Sequence, residues 1–495
     1  MAKILYVDQV RGGKYPGVPG DPQYPFATLT TAKHAALSGD TIEVLPGTYN
    51  ENNLLKDGVN WYFHSGAVVF YTNTLVLSGS GTAYGIFDDR DGAVTCRVDG
   101  DGVFHYHAGY GTVDTAYVFN NASPGFLATN TTIKGAIAIT NASTSFTLKC
   151  HQVLVEGFTG FTYGYLAYVT NCTLCEITAD SLIMANPGST FDFGTFPADN
   201  GDGTTTPIDC ALANDGGGIY WEHGEMYVNA RHITASKYPI YAQDIIGTAT
   251  NFWCNVDLIE QTQAGGVTVV YIVGIGTNPN FRTYIVCKEI RSFNGLQSPY
   301  GIYTGGKHYL TAQKITMADP TGTAVGIAVQ QSTAGSKPFL WANVQKLIGG
   351  VSIGGAYSSE AGGVFVLDIL QFGEEDGSKD KGSGGADISL LGGTTYIRGG
   401  HMKSGRVLHN AGTGVCKATL QDLRIDCTGT SNTPITVGSA GLVLQNCVLV
   451  CGTATNSITA ASAQTVTCYG VKSNKAKNSN VTVNVDAITV DTNVV

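Results

Sequence analysis

Residues 146–155 read FTLKCHQVLV, and the same phrase returns through the chain: an aromatic or aliphatic residue, further apolar positions, a small or thiol residue, then another apolar position. It recurs as YVTNCTLCEI at 168–177, MYVNARHITA at 226–235, FWCNVDLIEQ at 252–261, YIVCKEIRS at 284–292 and YLTAQKITM at 309–317. It continues as FLWANVQKLI at 339–348, FVLDILQFG at 365–373, YIRGGHMKS at 396–404, ATLQDLRID at 418–426 and LVLQNCVLV at 442–450. Successive copies lie about 22 to 32 residues apart, as from Phe146 to Tyr168 and from Phe252 to Tyr284, a period that signals a repeat architecture. The drift in spacing separates it from a propeller, whose blades of roughly 40 to 50 residues each carry four antiparallel strands.

Each copy alternates inward and outward side chains, so one coil leaves its apolar face uncovered and stacking covers it. Neighbouring parallel strands sit about 4.8 Å apart, so like residues fall on like. Aligned by phrase, Cys150 is expected over Cys172, with Ala230, Cys287 and Ala312 in comparable slots. The expected fold is all-β: a single-stranded right-handed parallel β-helix (β-solenoid) with an N-terminal capping helix. The expected organisation is a cap over 1–50, a parallel β-helix over 51–470 with a long loop near 185–217, and a C-terminal strand or cap segment over 471–495.

The composition agrees with strands and turns rather than helices, with Gly at 64, charged residues at 13% and hydrophobic residues at 43%. A net charge of −10 and the absence of any basic run argue against a nucleic-acid partner, because phosphate binding needs clustered Lys and Arg. No apolar stretch approaches the roughly 18 residues of a membrane span, and no charged segment with an apolar core opens the chain. A soluble protein without a cleavable signal peptide is expected. The 12 cysteines are scattered singly in apolar strands, as at Cys96, Cys150, Cys254, Cys287 and Cys447, and read as buried free thiols. Cys172 and Cys175 form a lone CxxC; strand positions i and i+3 face opposite sides, so zinc is not expected there.

Near the N-terminus, Thr28 is placed to cap a helix whose Leu29, Ala32 and Ala36 share one face, with Gly39 as its left-handed stop before Asp40 and the strand 41–45. At the other end, 481–485 and 488–490 alternate strictly and are expected to pair. The segments YVDQVRGG at 6–13 and PFATLTTAKHAALSGDTIEVLPGTYNE at 25–51 resemble the opening of pectate-lyase-like β-helix proteins, in which a capping helix precedes a G-D-T-I strand and a P-G-T-Y turn. The closing stretch YGVKSNKAKNSNVTVNVDAITVDTNVV at 469–495 is similar to the ends of some phage fibre and spike proteins. That resemblance implies a homotrimeric virion appendage, assembled with other virion proteins and bearing a host-surface glycan as its ligand.

Four acidic places are candidates for chemistry, since glycosidic hydrolysis needs two carboxyl groups about 5 to 9.5 Å apart. Asp88, Asp89 and Asp91, followed by VDGDGVF at 98–104, form the densest acidic stretch; its reading as turn-forming Asp and Gly competes with a ligand site. Trp221-Glu222-His223-Gly224-Glu225 follows the irregular segment 185–217, where Trp221 is a candidate sugar platform and Glu222, Glu225 and His223 candidate proton donors or acceptors. Asp199 and Asp202 supply oxygen at turn spacing and are the candidate Ca2+ ligands, without an EF-hand's closing Glu. The charged run at 374–381 reads as a solvated loop. No other cofactor is implied.

The polygalacturonase set of N-T-D, paired Asp, G-H-G and R-I-K is absent in that order, although Gly399-Gly400-His401 and His223-Gly224 supply fragments. No Arg sits in a pectate-lyase-like acidic context. The expected function is therefore a phage virion fibre or spike protein, structural and host-recognising. A polysaccharide depolymerase on the same scaffold, hydrolase or lyase, is the alternative, and a secreted adhesin is disfavoured by the missing export signal.

Overall fold

The computed structural model describes residues 2–14, 20–51, 54–71, 87–88, 98–106, 117–119, 125–126, 132–134, 137–139, 145–156, 165–169, 172–185, 197–199, 205–207, 217–235, 237–244, 247–262, 268–274, 278–292, 298–317, 326–330, 337–354, 363–373, 388–403, 405–409, 416–428 and 430–491. Two compact units are present, Met1–Tyr241 and Ala242–Val495. Each is built of parallel strands stacked in register, a β-solenoid.

The first unit opens with a cap. Strand Thr41–Val44 lies between Ile4–Val7 and Asn60–Phe63, and Val98–Gly100 continues the sheet, all parallel. The single helix among the described residues, Leu29–Ala35, is capped as its sequence demands: the Thr31 N–H donates to Thr28 Oγ1 at 3.1 Å, and Leu29, Ala32 and Ala36 are fully buried. Its other free amides, at Leu29 and Thr30, donate to the Glu51 carboxylate at 2.6 and 2.5 Å. The Lys56 ammonium donates to the carbonyls of Lys33 and Ala36 at the opposite end. The helix stops at Ala36 in extended backbone, so Gly39, with φ +94°, turns the chain into the strand rather than ending the helix. In the 98–104 segment, Gly100 has φ +118° and a Cβ there would sit 2.0 Å from the Phe63 carbonyl, which makes the D-G-x-G stretch a tight structural turn.

Beyond the cap, the chain alternates between two sheets. Gly47–Asn50, Ala67–Tyr71, Val103–Tyr106, Thr132–Lys134, Gln152–Glu156 and Leu174–Ala185 pair in that order in one. Phe87–Asp88, Tyr117–Phe119, Ile137–Ile139, Tyr165–Val169 and Gly217–Trp221 pair in the other. This alternation corrects the expected cysteine column. Tyr168 belongs to the second sheet, whereas Phe146 belongs to the first and pairs with Cys175. Cys150 consequently lies at the level of Ala179, which is followed by Ala230, and not over Cys172. Strands of both sheets alternate alike, so phrase similarity aligned segments from different sheets.

In the second unit the registers run without a break. The inward column Ile290, Ile315, Leu347, Phe372, Met402, Ile425, Leu449 and Ser473 is buried throughout, one residue from each coil. The expected neighbours Cys287 and Ala312 do pair. Up to Val364–Phe372 each coil has one long strand in this sheet; thereafter it divides in two at residues of positive φ, Gly399 and Gly400 in the first such coil. Gly399, Asp422, Asn446 and Gly470 stack at that division with φ of 71°, 54°, 52° and 61°. The segment 481–490 adds a last coil to the same sheet through Val481–Val485 and Thr489–Val490. The ten described cysteines are free and buried. No helix among the described residues is long and apolar enough to cross a membrane.

Candidate functional site

The strand Gly217–Trp221 ends in the turn carrying Glu222, His223 and Gly224, and Gly224–Ala235 then enters the other sheet. Two adjacent glycines make the approach possible. A Cβ on Gly217 would lie 2.3 Å from the Tyr165 ring, and one on Gly218 would lie 2.3 Å from the Pro239 carbonyl oxygen. The segment before Tyr241 therefore packs directly on this strand, with Gly218 and Ile219 amides donating to the Tyr238 and Pro239 carbonyls at 3.1 and 3.0 Å. Tyr238 is held at φ +23°, a strained backbone for a bulky residue and the kind of strain that gathers at ligand sites.

Four tyrosines converge there. Ring centroids of Tyr165 and Tyr220 are 5.0 Å apart, Tyr220 and Tyr241 5.4 Å, Tyr165 and Tyr241 5.9 Å, and Tyr238 and Tyr241 5.2 Å. Tyr220 is buried beneath the others, which remain half-buried. The Tyr220 hydroxyl donates to Glu222 Oε2 at 2.5 Å, fixing a half-buried carboxylate beside the rings. Aromatic surface next to a fixed acceptor is suited to a polyhydroxylated ligand, whose C–H faces lie on rings while its hydroxyls donate to the acceptor.

The expected residues of this turn separate into different roles. Trp221 is fully buried and its indole N–H donates to the His223 carbonyl at 2.8 Å, so it supports the turn and does not serve as a sugar platform, which corrects that expectation. Glu225 lies on the far side of Gly224, whose φ is +69°, at the start of the other sheet, where the Tyr227 hydroxyl donates to it at 3.4 Å. Burial and the neighbouring Glu225 charge raise the Tyr227 phenol above its usual range. Glu222 and Glu225 thus engage tyrosines of different sheets. His223 lends its carbonyl to Trp221.

The remaining candidates fall elsewhere. Asp88 ends a short strand, with its backbone paired to Val118, and Asp89 and Asp91 lie outside the described residues. Asp199 pairs with Thr205 in an antiparallel hairpin, Pro197–Asp199 against Thr205–Pro207; Asp202 and the run 374–381 lie outside the described residues. Among the described residues no group of three or more His, Cys, Asp or Glu side chains could hold a metal ion. Cys172 precedes its strand, so it and Cys175 do not take opposite faces as expected; both are buried, and a hydrogen bond with Cys175 lowers the Cys172 thiol below its usual range.

Sequence reasoning missed a charged network in the second unit. Arg291 donates to Glu260 at 3.0 Å and to Glu289 at 2.8 Å, and the Thr316 hydroxyl donates to Glu289 at 2.7 Å. Glu260 is 3% exposed. Burial pushes its carboxyl above the ordinary range against the pull of Arg291, whereas hydrogen bonds from Arg291 and Thr316 overcome burial and lower Glu289. Glu260, Arg291 and Glu289 stood inside the quoted repeats, but only register brings them together. Farther along the outer face, Trp253 stacks on Tyr284 at 3.7 Å and Tyr284 on Tyr309 at 4.8 Å with nearly parallel planes, so these rings spend their faces on one another. Comparison with protein-family models, curated proteins and solved structures returns no match.

Proposed function

We propose that this chain is a glycan-recognition protein of the pectate-lyase-like solenoid type, a phage fibre or spike that binds a host-surface glycan as a homotrimer on the virion. The observation that carries the binding reading is the cluster of Tyr165, Tyr220, Tyr238 and Tyr241, in which the Tyr220 hydroxyl holds the Glu222 carboxylate. The virion placement rests on the likeness of the closing stretch 469–495 to the ends of some phage fibre and spike proteins. Binding is favoured over cleavage because Glu222 and Glu225 are each held by a tyrosine of a different sheet, whereas hydrolysis needs two carboxyl groups serving one bond.

The test is a glycan array probed with the native chain and with Tyr238→Ala and Glu222→Gln variants. Binding that is lost in Tyr238→Ala and weakened in Glu222→Gln, with unchanged melting, is the expected result; full binding by both variants would sink the site. Release of reducing ends or unsaturated sugars from any bound glycan would replace recognition by depolymerisation. Sedimentation should give a trimer, and a monomer at micromolar concentration would remove the virion-appendage reading.

A further inference from the structure

One buried acid of the second unit stands without a partner. Asp244, Gly274 and Thr304 fall at the ends of successive strands of one sheet, Ile240–Asp244, Val270–Gly274 and Tyr300–Tyr303, Thr304 being one step past the last. Ala242, Ile272 and Ile302, two residues earlier on each strand, are fully buried, so the three terminal positions continue the inward face. Asp244 is 2% exposed and Thr304 1%. Asp244 Oδ1 is shielded from solvent and has no hydrogen-bond partner, and among the described residues no cation pairs with it. The intervening glycine forms a cradle. A Cβ on Gly274 would lie 2.7 Å from the Asp244 carbonyl oxygen, 2.7 Å from Thr304 Oγ1 and 3.3 Å from the Asp244 Cβ, so any side chain there would displace the oxygens that converge on it.

We propose that this cradle is an internal site for a monovalent alkali cation, Na+ or K+, held by the Asp244 carboxylate, the Asp244 carbonyl and the Thr304 hydroxyl. Three occupants compete for a buried carboxylate, and the surroundings separate them. A proton removes the charge but not the missing hydrogen bond, because Oδ1 lacks a partner whether it donates or accepts. A water molecule supplies the hydrogen bond but leaves an unneutralised charge in the interior. A cation answers both needs, and a hard ion takes carboxylate, carbonyl and hydroxyl oxygens as its ligands. Charge then decides the valence. One carboxylate neutralises one monovalent ion, whereas a divalent ion would bring a further uncompensated charge into the interior. Among the described residues no group of three or more His, Cys, Asp or Glu side chains gathers to share such a charge.

The ion ties coils together where side chains alone do not. Neighbouring strands lie about 4.8 Å apart, so the backbones of Asp244 and Thr304 are separated by roughly twice that, with a glycine between them. A cation bound to both bridges that step and fixes the ends of three successive strands. This site is separate from glycan recognition: it is interior to the second unit and is filled whether or not the tyrosine cluster holds a sugar.

The whole chain, dialysed exhaustively into choline chloride at neutral pH, is melted in choline chloride, NaCl, KCl and CaCl2 at one ionic strength. NaCl or KCl should raise the melting temperature by about 2 to 4 °C over choline, and the rise should saturate with concentration. CaCl2 should give no larger rise than the alkali salts. Asp244→Asn, which keeps the shape and removes the charge, should abolish the response. Thr304→Val keeps the carboxylate and removes one ligand, so it should raise the half-saturating salt concentration several-fold; it keeps the test valid if Asp244→Asn fails to fold. Equal melting in choline, sodium and potassium salts would overturn the site. So would a response that persists in Asp244→Asn, one that Thr304→Val leaves unmoved, or a larger rise in CaCl2.

Discussion

Asn446 and Asp422 hold φ of 52° and 54°, a backbone that side chains other than Gly, Asn and Asp adopt only at a cost of roughly 1 to 2 kcal/mol. Their amides donate to carbonyls one coil away, Asp422 to Gln445 and Asn446 to Tyr469, and the Asn446 amide side chain donates to Asp422 at 3.1 Å. Asn446→Val should therefore lower stability by about 1 to 2 kcal/mol in urea denaturation, while Asn446→Gly keeps most of it. His308 makes a second prediction. It is buried, its ring lies 3.1 Å from Thr283 Oγ1 and 3.0 Å from the Gly305 carbonyl, and burial pushes its pKa down to about 4. The unfolded chain takes up the proton near pH 6.5 and the folded chain only near 4, so stability should fall as pH drops through that window, by up to about 3 kcal/mol. Replacing His308 with Gln should flatten that part of the urea-midpoint profile; an unchanged slope would mean the ring takes up its proton alike in the folded and unfolded chain. At this scale the sequence was a partial guide. Thr28 and Gly100 declare their turns through chemistry that needs no partner, but Trp221 looked like a surface platform because its burial depends on strands far away in the chain.

Glu260 and Arg291 belong to successive phrases of the repeat, and their pairing is a property of the strands Ala249–Gln261 and Arg282–Ser292. Removing one partner strands a buried charge, so Arg291→Met should cost about 3 to 5 kcal/mol, whereas Glu260→Leu with Arg291→Met should recover most of it. Equal losses in the single and double variants, measured by denaturation, would show that the side chains matter only by packing. The capping helix is held more lightly: Thr28→Ala should cost about 1 kcal/mol. Element types were readable because alternation and capping are local signals. Which sheet each strand joins was not, because strands of both sheets alternate alike, and Cys150 was assigned the wrong neighbour for that reason.

For the molecule as a whole, stacking converts sequence separation into adjacency. Residues about 23 to 32 apart become neighbours, which is why the recurring phrase indicated a repeat architecture yet an acid–arginine network and a tyrosine cluster stayed hidden in it. The central claim is that coils of the second unit stack in register at one strand spacing per repeat. Spin labels placed in pairs at 346 and 424, 314 and 424, 346 and 472, and 314 and 472 span three, four, five and six steps of one column. Electron–electron distance measurements should give separations that grow linearly by about 4.8 Å per step. Distances that fail to increase in that order, or that jump by much more than one strand spacing, would contradict the stacked solenoid.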